Sequence, residues 1–287
     1  MTAFPQYVPP PPVEPLALDQ PKQLGPLLES GWKVWRMRPS VFFLTAAWIV
    51  LPLELVLVGL LGGGFHDPNG AGDPVWTGVS SFVEFAIGSP LITAIHALAV
   101  LALARSEAVT TGSAFRMGLA SLGRAVLTTI VYFFAIVLGT LLLILPGIFI
   151  AVAGLFAPQH AVLTGDGPIA SLKASVRIVR TNGWWRTYGY VLVITLIGAA
   201  VAAAVVIPLA VVSLVAGEPS DFGLVAVPLT AVMNAAVASW TALATTLLYF
   251  SWRTRANDPY RAPGLPESSP AASPDWPGEA QQPTPGL

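Results

Sequence analysis

The sequence contains no cysteine, and only 10% of its 287 residues carry a charge. Without cysteine there is no disulfide, no thiolate nucleophile and no thiolate metal site, and the redox compartment is left open. The low charge content matters more. A soluble domain is about 25% charged, whereas this chain is 54% hydrophobic, which is the composition of an integral membrane protein. A net charge of -1 gives no support to nucleic-acid binding through overall basicity. Motifs are also missing. There is no phosphate-cradling glycine loop ending in Lys-Ser or Lys-Thr, and no His-Glu-x-x-His pair for zinc. No cofactor or metal is expected.

The first 23 residues include the run Pro9 to Pro12 and lack the basic start and apolar centre of a cleavable signal. They read as a disordered arm with polyproline character, able to dock on a protein partner's aromatic groove. Residues 257–287 are rich in Pro, Ser and Glu without periodicity and read as a second disordered tail. Between them, 24–256 form the membrane domain.

Six apolar runs are expected to span, at about 41–61, 80–104, 125–145, 148–164, 188–215 and 222–250, each close to the roughly 20 residues that a bilayer requires. Gly88-Ser89-Pro90 predicts a kink in the second, and Pro146-Gly147 a tight turn between the third and fourth. If these runs alternate, all 14 Lys and Arg fall on one side, and the three other connections, which carry Asp67, Asp73, Glu218 and Asp221, have none. The positive-inside rule then places both termini in the cytoplasm of a plasma (inner) membrane protein.

Residues 165–187, GDGPIASLKASVRIVRTNGWWRT, hold the most informative polar interval. Asp166 is a candidate N-cap, Pro168 suits a first helical turn, and Asn182-Gly183 supplies a left-handed stop. Ile169, Leu172, Val176 and Val179 recur at helical spacing beside a stripe of Lys173, Arg177 and Arg180. Trp184, Trp185 and Arg186 follow where the next span begins, a position at which indoles favour the headgroup layer. A similar stretch at 24–38 has Leu28, Trp32 and Trp35 beside Lys33, Arg36 and Arg38. A weaker one at 105–124 has Phe115, Leu119 and Leu122 flanked by Arg116 and Arg124. The fold class that follows is all-α: six transmembrane helices in three hairpin units, starting near 24, 111 and 167, each preceded by an amphipathic helix on the cytoplasmic face. Anionic lipid headgroups are the natural partners of the basic stripes.

The stretches LGPLLESGWKVWRMRPS, LPGIFIAVAGLFAPQHAVLTGDGP, SLKASVRIVRTNGWWRTYGY and TLLYFSWRTR resemble the membrane domain that accompanies some glycerophosphoryl diester phosphodiesterases and its stand-alone bacterial relatives, over about residues 24–256. The resemblance implies a six-span helical domain with no active site of its own. In that family the chemistry belongs to a separate soluble barrel with a His-Arg-Gly start, and neither His66, His96 nor His160 is followed by Arg-Gly here.

Ionisable groups inside hydrocarbon are costly and therefore candidates for function. Glu54 and Glu84 fall in the outer half of the bilayer, His96 and His160 in the inner half, with Gln159 and Asn234 as polar neighbours. Glu84 and His96 lie about 18 Å apart along one helix and cannot form a direct acid-base pair. The expected function is that of a non-catalytic, multi-pass lipid-interacting scaffold or accessory module. The alternative is a transporter or lipid-handling permease that uses these Glu and His residues and would need a polar relay or a broken helix.

Overall fold

A computed structural model describes residues 18, 20–61, 74–216 and 222–256. The tail at 257–287, most of the N-terminal arm, and the loops carrying Asp67, Asp73, Glu218 and Asp221 lie outside the described residues. Among those described there is no strand, and six helical stretches are long and apolar enough to cross a membrane: Pro39–Leu57, Ser81–Ala104, Thr111–Leu142, Ile144–Thr164, Trp184–Val215 and Leu224–Arg255. The chain is a multi-pass membrane protein.

In order, the helices are α1 (Leu24–Met37), α2 (Pro39–Leu53), α3 (Pro74–Val83), α4 (Ser89–Ala104), α5 (Thr111–Leu142), α6 (Ile144–Ala153), α7 (Ala157–Thr164), α8 (Pro168–Asn182), α9 (Trp184–Ala216) and α10 (Phe222–Arg255). Two π-helical segments, Glu54–Leu61 and Glu84–Gly88, continue α2 and join α3 to α4. Each begins at an intramembrane glutamate and lies next to a proline, Pro52 or Pro90, which lacks the amide needed for the regular ladder.

Helix α4 is the centre of the bundle. The most apolar window of its span is 72% buried, against 11% for that of α9, which lies at the periphery. Small residues allow this packing. Ala114, Gly118, Ser121 and Ala125 are the buried positions on the first half of α5, and a Cβ at Gly118 would collide with Ile95 of α4. The core side chains Phe42, Ile95, Phe156, Ile178, Leu243, Tyr249 and Trp252 are fully buried. Span one packs chiefly on α10 rather than on α4, so the first and last described segments meet. At that junction Lys22 N–H donates to Ser251 Oγ at 2.8 Å, and Thr254 Oγ1 donates to the Leu18 carbonyl at 3.1 Å.

Three local expectations differ from the structure. The 105–124 interval is not a separate surface helix. Thr110 and Ser113 form a capping box, and from there one helix of 32 residues runs without interruption into span three, because nothing in Leu122-Gly123-Arg124-Ala125 breaks it. The third-to-fourth turn falls at Leu143, the extended residue between α5 and α6, while Pro146 sits in the first turn of α6, where a missing amide costs nothing. Finally, α8 turns Ser171, Ala174, Ser175, Ile178 and Val179 to the protein and leaves Ile169 exposed.

That rotation of α8 has a structural cause. Span four is broken between α6 and α7, which frees backbone groups in an apolar environment. Ser175 satisfies two of them: its Oγ donates to the Ala153 carbonyl at 2.8 Å and accepts from the Phe156 amide at 3.0 Å. Tyr132 Oη donates to the Ala151 carbonyl, and Trp184 Nε1 donates to that of Phe149 at 3.2 Å. The break is thus held from α5, α8 and α9.

Candidate functional site: an intramembrane cleft

The break in span four and the second π segment border one cleft. It has a volume of about 490 Å³ and is lined from α4, α5, α7, α10 and the π turn before α4. Its polar lining is Glu84, Ser89, Thr93, Thr129, Gln159, Asn234, Thr241 and Thr245, with apolar surface from Phe85, Ile92, Leu155 and Val237 among others. Along α10 it extends from Asn234 to Thr245, roughly 16 Å at the helical rise. Two wall groups are buried without a partner: Gln159 Oε1, on a residue 4% exposed, and Thr129 Oγ1, on one 6% exposed. Unpaired acceptors and hydroxyls in a wall are costly unless something in the cavity meets them.

The carboxylates sit at the end of the cleft remote from the basic residues. Glu54 does not line it but accepts a 2.9 Å hydrogen bond from Asn234 Nδ2, which does. Glu84 lines the cleft directly and is half-buried. The two glutamates predicted from sequence are therefore brought together, on spans one and two, around a residue of span six.

The two histidines go elsewhere. His96 is fully buried, with Nδ1 2.8 Å from the Ile92 carbonyl and Nε2 3.1 Å from Ser239 Oγ. A carbonyl only accepts, so Nδ1 carries the proton and Nε2 accepts from the Ser239 hydroxyl, whose oxygen in turn accepts from Trp35 Nε1 at 3.1 Å. Every polar atom of this imidazole is satisfied, and it ties α4 to α10 and α1.

His160 belongs to a second network at the basic end. Its Nε2 lies 3.0 Å from Asp166 Oδ2 and its Nδ1 3.0 Å from Tyr249 Oη, which also receives Arg253 at 3.0 Å. Asp166 therefore does not cap α8. The N-cap is Gly167, with no side-chain bond, because the Asp166 carboxylate is turned back to the imidazole. Thr241, Thr245, Tyr249 and Arg253 are spaced by four along α10, so one stripe of that helix carries polar groups from the cleft to this network.

The predicted surface residues fall into two groups. Lys33, Arg36 and Arg38 are exposed on and just after α1. Lys173, Arg177 and Arg180 line a shallow groove with Val176 and Thr181. Trp185 is 78% exposed, whereas Trp184 stacks between Phe149 and Tyr188. Arg186 lies over the rings of Tyr190 and Trp252, at 5.7 and 5.3 Å.

Residues 72–261 match the family described as a domain of unknown function, DUF7847. The chain belongs to that family. No curated protein and no solved structure matches it. The matched segment of this DUF7847 member includes every residue that lines the cleft and the whole His160 network, while α1 and Glu54 precede it.

Sequence reasoning picked out Glu54, Glu84, Gln159 and Asn234 but missed Thr129, Thr241 and Thr245 in the cleft, and Tyr249 and Arg253 beside His160. The recoverable signal was the four-residue polar spacing on α10, which hydropathy averaging conceals.

Proposed function

We propose that this protein is a non-catalytic permease or lipid-handling protein that binds the polar part of a solute or amphiphile in the intramembrane cleft. The observation that carries this reading is the cleft itself: about 490 Å³, within the roughly 300–1,000 Å³ of small-molecule sites, with Glu84 in its wall and the Gln159 and Thr129 oxygens unpartnered. A broken helix and the π segment Glu84–Gly88 in the cleft wall supply irregular backbone where a binding site at membrane depth needs it. The basic-end network of Asp166, His160, Tyr249 and Arg253 closes the polar stripe of α10, in the position of an inner gate. The one-sided distribution of Lys and Arg supports a plasma-membrane orientation with both termini on the cytoplasmic side.

The test is uptake. Proteoliposomes of wild type and Thr241→Trp, which fills the cleft, are incubated with a small-molecule extract of the source cells, and the trapped solutes are identified by mass spectrometry. A solute enriched by wild type and not by Thr241→Trp supports the permease; identical profiles reject it.

A scaffold role rests on a different observation, the basic groove of Lys173, Arg177 and Arg180 with Trp185 exposed nearby in sequence. Anionic headgroups fit that chemistry at about 1 kcal/mol for each basic residue near the surface. In this reading the stripe holds the domain against an anionic leaflet and recruits no catalytic partner domain.

A further inference from the structure

The chemical class of the occupant follows from the charge and hydrogen-bond character of the cleft, and rests on the reading that the cleft is a binding site. We propose that the cleft takes an organic cation, an ammonium-bearing solute or headgroup, with Glu84 as its counter-charge.

Four observations lead to this assignment. First, Glu84 stands in the wall, and among the described residues neither it nor Glu54 forms an ion pair. Second, no Lys or Arg lines the cleft. Arg105 lies 12 positions beyond Thr93 on the same span and Arg253 eight beyond Thr245, about 18 and 12 Å along their helices. An anionic ligand would therefore meet the Glu84 carboxylate and no cation. Third, Asn234 uses one of its two Nδ2 N–H donors on Glu54, and its carbonyl oxygen remains an acceptor. Gln159 Oε1, 4% exposed in residue terms, is a second acceptor with no partner. The electropositive N–H or polarised C–H groups around a charged nitrogen meet these oxygens together with Glu84. Fourth, the rings of Phe85 and Tyr132 line the same space, and aromatic faces attract cations. Apolar surface from Leu155, Val237 and Ala242 accommodates alkyl substituents on the nitrogen.

Carboxylate charge and neutral surface are separable with an isosteric pair of probes. Benzyltrimethylammonium and neopentylbenzene have the same shape and differ by the charge on one central atom. Tritiated benzyltrimethylammonium is titrated onto the full chain in neutral maltoside micelles, with neopentylbenzene as competitor. Saturable binding that Glu84→Gln weakens roughly tenfold or more, a loss of about 1.4 kcal/mol, is expected, with recovery in Glu84→Asp and little competition by neopentylbenzene. Size-exclusion profiles and thermal unfolding of both variants establish that they are folded. Competition by neopentylbenzene at equal concentration, or binding unchanged in folded Glu84→Gln, overturns the cation assignment. If neopentylbenzene itself binds and Thr241→Trp abolishes that binding, the cleft remains a site and only its charge preference is wrong. If neither probe shows binding that Thr241→Trp removes, both readings fall.

Discussion

Asn234 Nδ2 donates to the Glu54 carboxylate at 2.9 Å, joining the first span to the last across 180 positions of sequence. The bond fixes the side chain that separates Glu54 from the cleft and leaves Glu84 as the carboxylate facing it. Span one precedes the DUF7847 segment, so this contact also fastens the additional helix to the family domain. A double-mutant cycle of Glu54→Gln and Asn234→Ala, read by thermal unfolding in detergent, is expected to give a coupling of about 0.6–2 kcal/mol, the range for polar contacts between membrane helices. Additive effects would show that the bond contributes nothing.

Ser239 is the shared partner of Trp35 and His96. Ser239→Ala removes the acceptor of one and the donor to the other, leaving two buried groups unsatisfied at about 1–3 kcal/mol each. The variant should unfold at lower temperature while binding cleft ligands unchanged, since neither Ser239 nor His96 lines the cleft. Loss of binding without loss of stability would contradict the structural role given to His96.

Ser175 supports the break in span four. Ser175→Ala exposes the Phe156 amide and the Ala153 carbonyl to an apolar surrounding and is expected to destabilise the fold by about 1–3 kcal/mol, whereas Lys173→Gln on the outer face of the same helix should leave stability within about 0.5 kcal/mol. Equal unfolding temperatures for Ser175→Ala and wild type would show that water or a backbone shift replaces the hydroxyl.

The spans and their number were legible because hydropathy acts over whole segments. At Gly88-Ser89-Pro90, where a kink is expected, a π turn runs directly into α4 with helical backbone at Gly88 and Ser89. The face of α8 was not legible. Its periodicity allowed Ile169, Leu172, Val176 and Val179 to form the apolar side, but the frayed backbone of span four draws Ser175 inward and rotates the helix. Nor did the sequence distinguish proline breaks: Pro52, Pro90 and Pro158 accompany irregular backbone, while Pro208 and Pro228 sit inside unbroken helices. Convergence of Glu54, Glu84 and Asn234 depends on span one packing against span six, a pairing that local pattern does not encode.

Because the chain has no cysteine, a single introduced thiol reports access cleanly. Thr245→Cys lies in the cleft four positions before Tyr249. With the inner network intact it should react slowly with a membrane-impermeant methanethiosulfonate applied from the basic side. In the Asp166→Asn background, where His160 loses its carboxylate partner, the reaction should accelerate by roughly tenfold, corresponding to weakening the closed state by about 1.4 kcal/mol. Identical rates would remove the gate from the network.

The central claim is that the cleft between α4, α5, α7 and α10 holds a ligand. Native mass spectrometry of the full chain, purified gently and released from its micelle, measures this directly. Wild type should retain a bound molecule of defined mass that is absent from folded Thr241→Trp, whose indole occupies the cleft. The same adducts on both proteins, or none on wild type under conditions that preserve lipid contacts, would contradict the account.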